Sequence, residues 1–115
     1  MAKSSSPTLL QGTLDLLILH ALQRGPLHGY AVAQTIHLLS DEELKVEEGS
    51  LYPALHRMEQ SGWVKSEWAL TETRRKAKYY RLTRAGRKFL SREERDWEQT
   101  TAILARFLTP GKESA

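Results

Sequence analysis

The chain contains no cysteine. Without a thiol there is no disulfide framework, no thiolate zinc site and no cysteine nucleophile, and the composition fits a reducing, cytoplasmic setting. Long apolar runs are missing as well. The longest is Leu16 to Leu19, whereas a bilayer span needs about 20 apolar residues, and no signal-peptide core follows a basic start. Catalytic signatures are equally scarce. There is no phosphate-cradling glycine loop, no nucleophile elbow and no H-E-x-x-H pattern. Carboxylates cluster at 41–43, 47–48 and 93–98, on helix flanks and helix surfaces. General acid–base work needs a pocket, and a chain this short offers little concavity by itself. His20, His28, His37 and His56 do not stand at the i, i+4 spacing of a helical metal pair. These absences argue against an enzyme, a bound metal and a cofactor.

What is present is a basic block. The 115 residues make one domain with an appended element, and 40% hydrophobic and 27% charged residues are ordinary for a globular chain. Net charge is only +3, but residues 1–57 hold four Lys/Arg against six Asp/Glu, and residues 58–115 hold thirteen against eight. Arg74 to Arg92 holds nine basic residues and no acid. Such a block attracts polyanions, nucleic acid first among them. Charge alone fits a solvated basic face equally well, and Arg84, Arg87 and Lys88 are open to that reading.

Periodicity divides the chain. Residues 1–8 are small and polar and read as a disordered lead. Leu10, Leu14, Leu17, Ile18, Ala21 and Leu22 follow the helical period, with Thr13 as a cap and Gly25-Pro26 as the stop. A second helix spans 29–39, with a stripe of Tyr30, Ala33, Ile36 and Leu38 or Leu39. Leu44 to Val46 reads as a short extended piece. Pro53 belongs in a first turn, which places the start of a third helix near Gly49 or Ser50, with Ser50 as its cap. Leu51, Ala54, Leu55 and Met58 share one side of it. Pro53, His56, Arg57 and Gln60 lie opposite, with Tyr52 on the flank, and Ser61-Gly62 ends it. Trp63–Leu70 and Lys78–Leu82 form a hairpin around a charged tip, TETRRKA. One of Tyr79 and Tyr80 is core and the other half exposed, and Trp63 and Trp68 read as structural. Thr83 caps a last helix running to about Leu108, ~40 Å at 1.5 Å per residue, before Thr109-Pro110-Gly111. Along it Leu90, Trp97, Thr101, Leu104 and Leu108 form a coiled-coil-like seam that needs a partner.

Helix, helix, helix, hairpin and long helix is the order of a winged helix-turn-helix. The fold class is α+β, mainly α, with 9–83 as the winged helix, 84–109 as a C-terminal dimerisation helix and 110–115 as a tail. The third helix fits a major groove, and its N-terminal N–H groups favour a phosphate. A basic wing reaches flanking backbone, and the long helices pair to set two reading heads about 34 Å apart. A protein-interaction module without sequence-specific DNA binding uses the same surfaces and stays open. Non-specific RNA binding wants stacking aromatics on a sheet face, where only one tyrosine of the pair is free to serve.

The phrases LLQGTLDLLILHAL, GPLHGYAVAQ, EEGSLYPALHRMEQSGWV and RRKAKYYRLTRAG resemble the PadR family of bacterial transcriptional regulators, and more narrowly its acidobacterial-type branch. The match runs over roughly residues 9 to 108, and the tip ETRRKA is its most variable part. The resemblance implies a homodimeric repressor on an inverted repeat, with one C-terminal helix as in the short members. It implies that the helix bearing Gly49, Ser50, Leu51, Tyr52 and Pro53 is the recognition helix. Ser50 and Tyr52 then lie near backbone and bases, His56 and Arg57 continue that helix, and Tyr30 lies near phosphates. The wing residues are Arg74, Arg75, Lys76 and Lys78. Tyr52 also reads as an aromatic at the core edge. Trp97 has two readings: a dimer-core residue, or the wall of a cavity between subunits. Some short relatives bind planar drugs at a tryptophan in that region, which implies a small planar aromatic effector.

Overall fold

The computed structural model describes residues 11–109. The lead at 1–8, Leu10, the tail and the Pro110-Gly111 stop lie outside them. Helix α1 (Gln11–Ala21) passes into a 3-10 turn at Leu22–Arg24. Leu14, Ile18, Leu19, Ala21 and Leu22 are buried, so the core stripe takes in Leu19, while Leu17 is only half-buried. The helix is already formed at Gln11, which puts Thr13 inside it rather than at its cap. Gly25 ends the turn at φ 149° and ψ 179°, a conformation essentially reserved for glycine.

That turn delivers Leu27–His28 in extended form as strand β1, antiparallel to β3 (Lys76–Leu82), with Leu27 opposite Tyr80 and His28 opposite Tyr79. The sheet therefore has three strands, in the order β1-β3-β2, with β2 spanning Val64–Leu70. The expected extended piece at 44–46 is a loop. Leu44 cannot join a ladder, because Ser40 Oγ takes its N–H (2.9 Å) and His37 Nδ1 bonds its carbonyl (3.0 Å).

Helix α2 (Gly29–Leu39) has the expected limits, and His28 Nδ1 caps it by accepting the Ala31 N–H. Its buried face is Gly29, Val32 and Ile36, so of the expected stripe Ile36 is core and Ala33 packs against it. Tyr30, Leu38 and Leu39 are exposed. Helix α3 (Glu48–Gln60) buries Leu51, Ala54, Leu55 and Met58, as periodicity requires. It begins earlier than expected, after Glu47, and no side chain caps it. Ser50 sits in its first turn with its own N–H bonded to Glu47 O, and Pro53 comes later, where it has no N–H to offer the Gly49 carbonyl. At the other end Gly62 (φ 82°) donates to Glu59 O and Trp63 N–H to Met58 O. This is the paired closure that satisfies a helix's last carbonyls.

Thr83 joins the two halves. Its hydroxyl donates to Gly62 O (2.6 Å) and accepts the Gly86 N–H (3.0 Å), capping α4 (Arg84–Phe107). A Cβ on Gly86 would stand 2.0 Å from the Trp63 carbonyl oxygen, so only glycine lets α4 approach that turn. Trp63 then stacks on Phe89 with 3.8 Å between ring centroids. Leu90 is 2% exposed. It belongs to the core of this chain, not to a seam, because the first two turns of α4 close the winged helix. Beyond them α4 leaves the body, tied to α1 by His20 Nδ1 and Glu94 Oε2 at 2.7 Å.

Candidate nucleic-acid interface

Helix α3 is held by its apolar side, so Gly49, Ser50, Tyr52, Pro53, His56 and Gln60 face solvent. Tyr52 lies at the core edge and still presents part of its ring to solvent. It is 41% exposed, while its phenol rests over the start of α2, where a Cβ on Gly29 would fall 2.4 Å from Tyr52 Oη. The glycine of the His28-Gly29-Tyr30 phrase thus seats the α3 tyrosine. Tyr30, next to it, is exposed and lies 6.5 Å from His28, ring to ring. It stands between two grooves. One, of about 560 Å³, runs between α2 and α3 past Gln34, His37, Lys45 and Tyr52. The other, of about 820 Å³, separates α2 from the hairpin at Arg75, Lys76 and Tyr79.

Arg57 is a correction. It does not point outward with His56. Its Nη2 donates to Asp15 Oδ1 of α1 at 2.5 Å, because its place on the helix lies toward Ala54 and the core. Burial pushes the Asp15 carboxyl above its usual 3.8, and the Arg57 charge and hydrogen bond offset this only in part. A second brace, unseen in the sequence, closes the other side. Glu59 accepts from Ser66 Oγ (2.6 Å) and stands 4.0 Å from Lys78 Nζ. Tyr80 lies beneath, its phenol held above the ordinary 10.0 by burial first, then by the charge of Glu59 and by Tyr52. Neither brace had a signal, since the Arg57–Asp15 pair, 42 positions apart, and the Glu59 contacts across α3 and the sheet are created by packing alone.

The tip is shorter than expected. Thr71–Arg75 connects the strands, and Lys76 and Lys78 lie in β3. Thr71 organises it by donating its N–H to Arg75 O, accepting the Arg74 N–H at its carbonyl and the Arg75 N–H at its hydroxyl. Arg74 takes a positive φ of 66°. Arg74, Arg75 and Lys76 are exposed, whereas Lys78 is half-buried, near Glu59 and 6.0 Å from the Tyr80 ring. At the start of α3, Glu47 and Glu48 complement the helix dipole. They also compete for the positive end that would otherwise favour a phosphate. As expected, Tyr80 is buried and Tyr79 half-buried. Trp63 is structural, but Trp68 is exposed.

On α4, Trp97, Thr101 and Leu104 are exposed, as are Ile103, Phe107 and, just past its end, Leu108. Trp97 lines a shallow cavity of about 350 Å³ with Gly12, Thr13, Leu16, Asp96 and Thr100. The Thr101 hydroxyl bonds back to the carbonyls of Trp97 and Glu98, which leaves its methyl group for packing. Among the described residues no three His, Cys, Asp or Glu side chains are grouped to hold a metal ion. No described helix is long and apolar enough to cross a membrane.

The family model of the PadR-like transcriptional regulators matches residues 18–92. A transcriptional regulator of Mycobacterium tuberculosis is 37% identical over 89 residues, covering 77% of this chain and 79% of that protein. The solved structure of a transcriptional regulator from Clostridium thermocellum superposes with a TM-score of 0.78 at 32% identity, over 86% of this chain and 96% of that one. A PadR family transcription regulator from Clostridium difficile gives a TM-score of 0.72 at 30% identity, over 83% and 97% of the two chains.

Proposed function

The chain belongs to the PadR-like family of transcriptional regulators, which are DNA-binding proteins and not enzymes, and on that premise we propose that it is a homodimeric, cytoplasmic repressor of an inverted-repeat operator. It is read here as a short member of the acidobacterial-type branch, with 9–83 as the DNA-binding unit and 84–109 as the dimerisation helix. The observation that carries the reading is the solvent face of α3, with Tyr52 seated on Gly29 and the basic tip beside it. In this reading Gly49, Ser50, Tyr52, Pro53 and His56 enter a major groove. Tyr30, Arg74, Arg75, Lys76 and Lys78 contact phosphates, and Arg57 serves by bracing the helix through Asp15. Trp97, Thr101, Leu104 and Leu108 form the seam between two copies, and a planar aromatic effector stacks at Trp97.

Binding-site selection from random duplex DNA tests DNA reading, symmetry and half-site spacing together. The expected product is an inverted repeat with half-sites about one helical turn apart. Against it, Tyr52→Ala should lose more affinity than against random duplex. Arg75→Ala should weaken both equally and reduce the salt slope by about 0.9. No enriched sequence, or equal losses for Tyr52→Ala on both duplexes, removes α3 as the reader and leaves the protein-interaction reading. Titration with flat cationic dyes tests the effector: no quenching of tryptophan fluorescence by any of them, with DNA binding intact, removes that class.

A further inference from the structure

The hairpin carries an apolar patch that its basic tip does not account for. Directly opposed residues of an antiparallel pair share a face. The register therefore places Val64 with Leu82, Ser66 with Tyr80, Trp68 with Lys78 and Leu70 with Lys76 on one side. At its base this side is core, since Val64, Tyr80 and Leu82 are buried. Farther out it passes α3, where Glu59 meets Ser66 and Lys78. Past Glu59 the described chain offers little cover, and Trp68 and Leu70 are 64% and 60% exposed. A tryptophan and a leucine left side by side in water are worth covering.

Charge decides what covers it. Lys76 and Lys78 stand opposite Leu70 and Trp68 on this face, Arg74 and Arg75 outnumber Glu72 at the exposed tip, and the one strand carboxylate, Glu67, is on the opposite face. Apolar along β2 and positive along β3 beside it, the patch matches the alternation of deoxyribose and phosphate along a DNA strand. Its direction matches too, because the same face meets α3 at Glu59.

We propose that Trp68, with Leu70 beside it, is a DNA-contact residue of the wing. It packs on the sugars of the groove that flanks the one met by α3, between phosphate contacts made by Lys76 and Lys78. The proposal rests on the reading of α3 and the wing as the DNA-binding face. It differs in mechanism from the contacts assigned there, because an apolar contact releases no counterion and so leaves the salt dependence alone.

The test is equilibrium binding of the full chain to the selected duplex and to random duplex over a salt series, with sedimentation on the same samples. Trp68→Ala should weaken both duplexes about tenfold with an unchanged salt slope, Trp68→Phe should recover most of the loss, and Lys76→Ala should lower the slope by about 0.9. Because Trp68 is exposed, thermal melting and self-association of Trp68→Ala should match the wild type. If Trp68→Ala binds within about twofold of wild type while Tyr52→Ala is impaired, the proposal fails and the reading of α3 stands. A reduced slope for Trp68→Ala would mean that it only holds Lys78 in place, which also overturns it. Altered self-association with unchanged DNA affinity would assign the patch to a second copy. A wild-type chain that binds no duplex ends both.

Discussion

Helices α3 and α4 are both two-faced, yet the described residues cover only one of them. The apolar side of α3 is closed by Leu51, Ala54, Leu55 and Met58 packing on α1, α2 and the sheet. Its other side is free to carry Tyr52 and His56. Among the described residues α4 is buried only at Gly86 and Leu90, after which Trp97, Ile103, Leu104, Phe107 and Leu108 are all exposed. A water-exposed stripe of that size on a 24-residue helix is stable only when something covers it. The α3 face contributes to the stability of the single chain, whereas the distal α4 stripe stays exposed in it, and association through that stripe belongs to the homodimer proposed above.

The sharpest break in that comparison is Leu55→Ala, which opens a cavity behind α3. It should cost about 2–5 kcal/mol, read by urea unfolding, at every protein concentration. Leu104→Asp is the counterpart on α4. It should weaken self-association by about 2–3 kcal/mol in sedimentation equilibrium while the separated chain stays folded. A dimer of unchanged affinity would contradict the seam. Gly29→Ala tests the free face of α3. Its methyl group must displace the end of the Tyr52 side chain, so stability should change by no more than about 1 kcal/mol while DNA affinity falls about tenfold.

The smallest effect concerns the brace on the closed side. Burial raises the Asp15 carboxyl above 3.8 in the folded chain, so the folded state takes up this proton at a higher pH than the unfolded state does. Between the two values the folded chain binds more protons, and the Asp15 contribution to stability rises as the pH falls. The unfolding free energy of wild type relative to Asp15→Asn should therefore increase on acidification through that window. A decrease would mean that the attraction of Arg57 outweighs burial.

Local pattern was legible where the physics is local. The limits of α2, the buried face of α3, the stop at Gly62 and the Thr83 cap all follow from nearest-neighbour spacing and from backbone groups a few residues apart. The misreadings share one cause. Ser50 and Thr13 are good capping residues placed inside helices, because packing moved the helix starts. Tyr30 looked like part of an apolar stripe, but Gly29 had to be the buried residue for Tyr52 to lie over it. Arg57 looked free until Asp15 came to meet it. Trp68 follows the inward alternation of β2 correctly, but it lies beyond the point where the body covers that face.

The sequence by itself determined the family, the order of the helices and the hairpin, and which residues of α3 are apolar, because periodicity and motif spacing are properties of neighbours along the chain. Only the tertiary structure decided which polar side chains remain free. It turned Arg57 inward, set Glu59 against Ser66 and Lys78, took Leu90 into the core and left Trp68 in water. Each of those outcomes depends on where a second element ends in space, and a residue cannot signal in its own surroundings how far a distant element will reach to cover it.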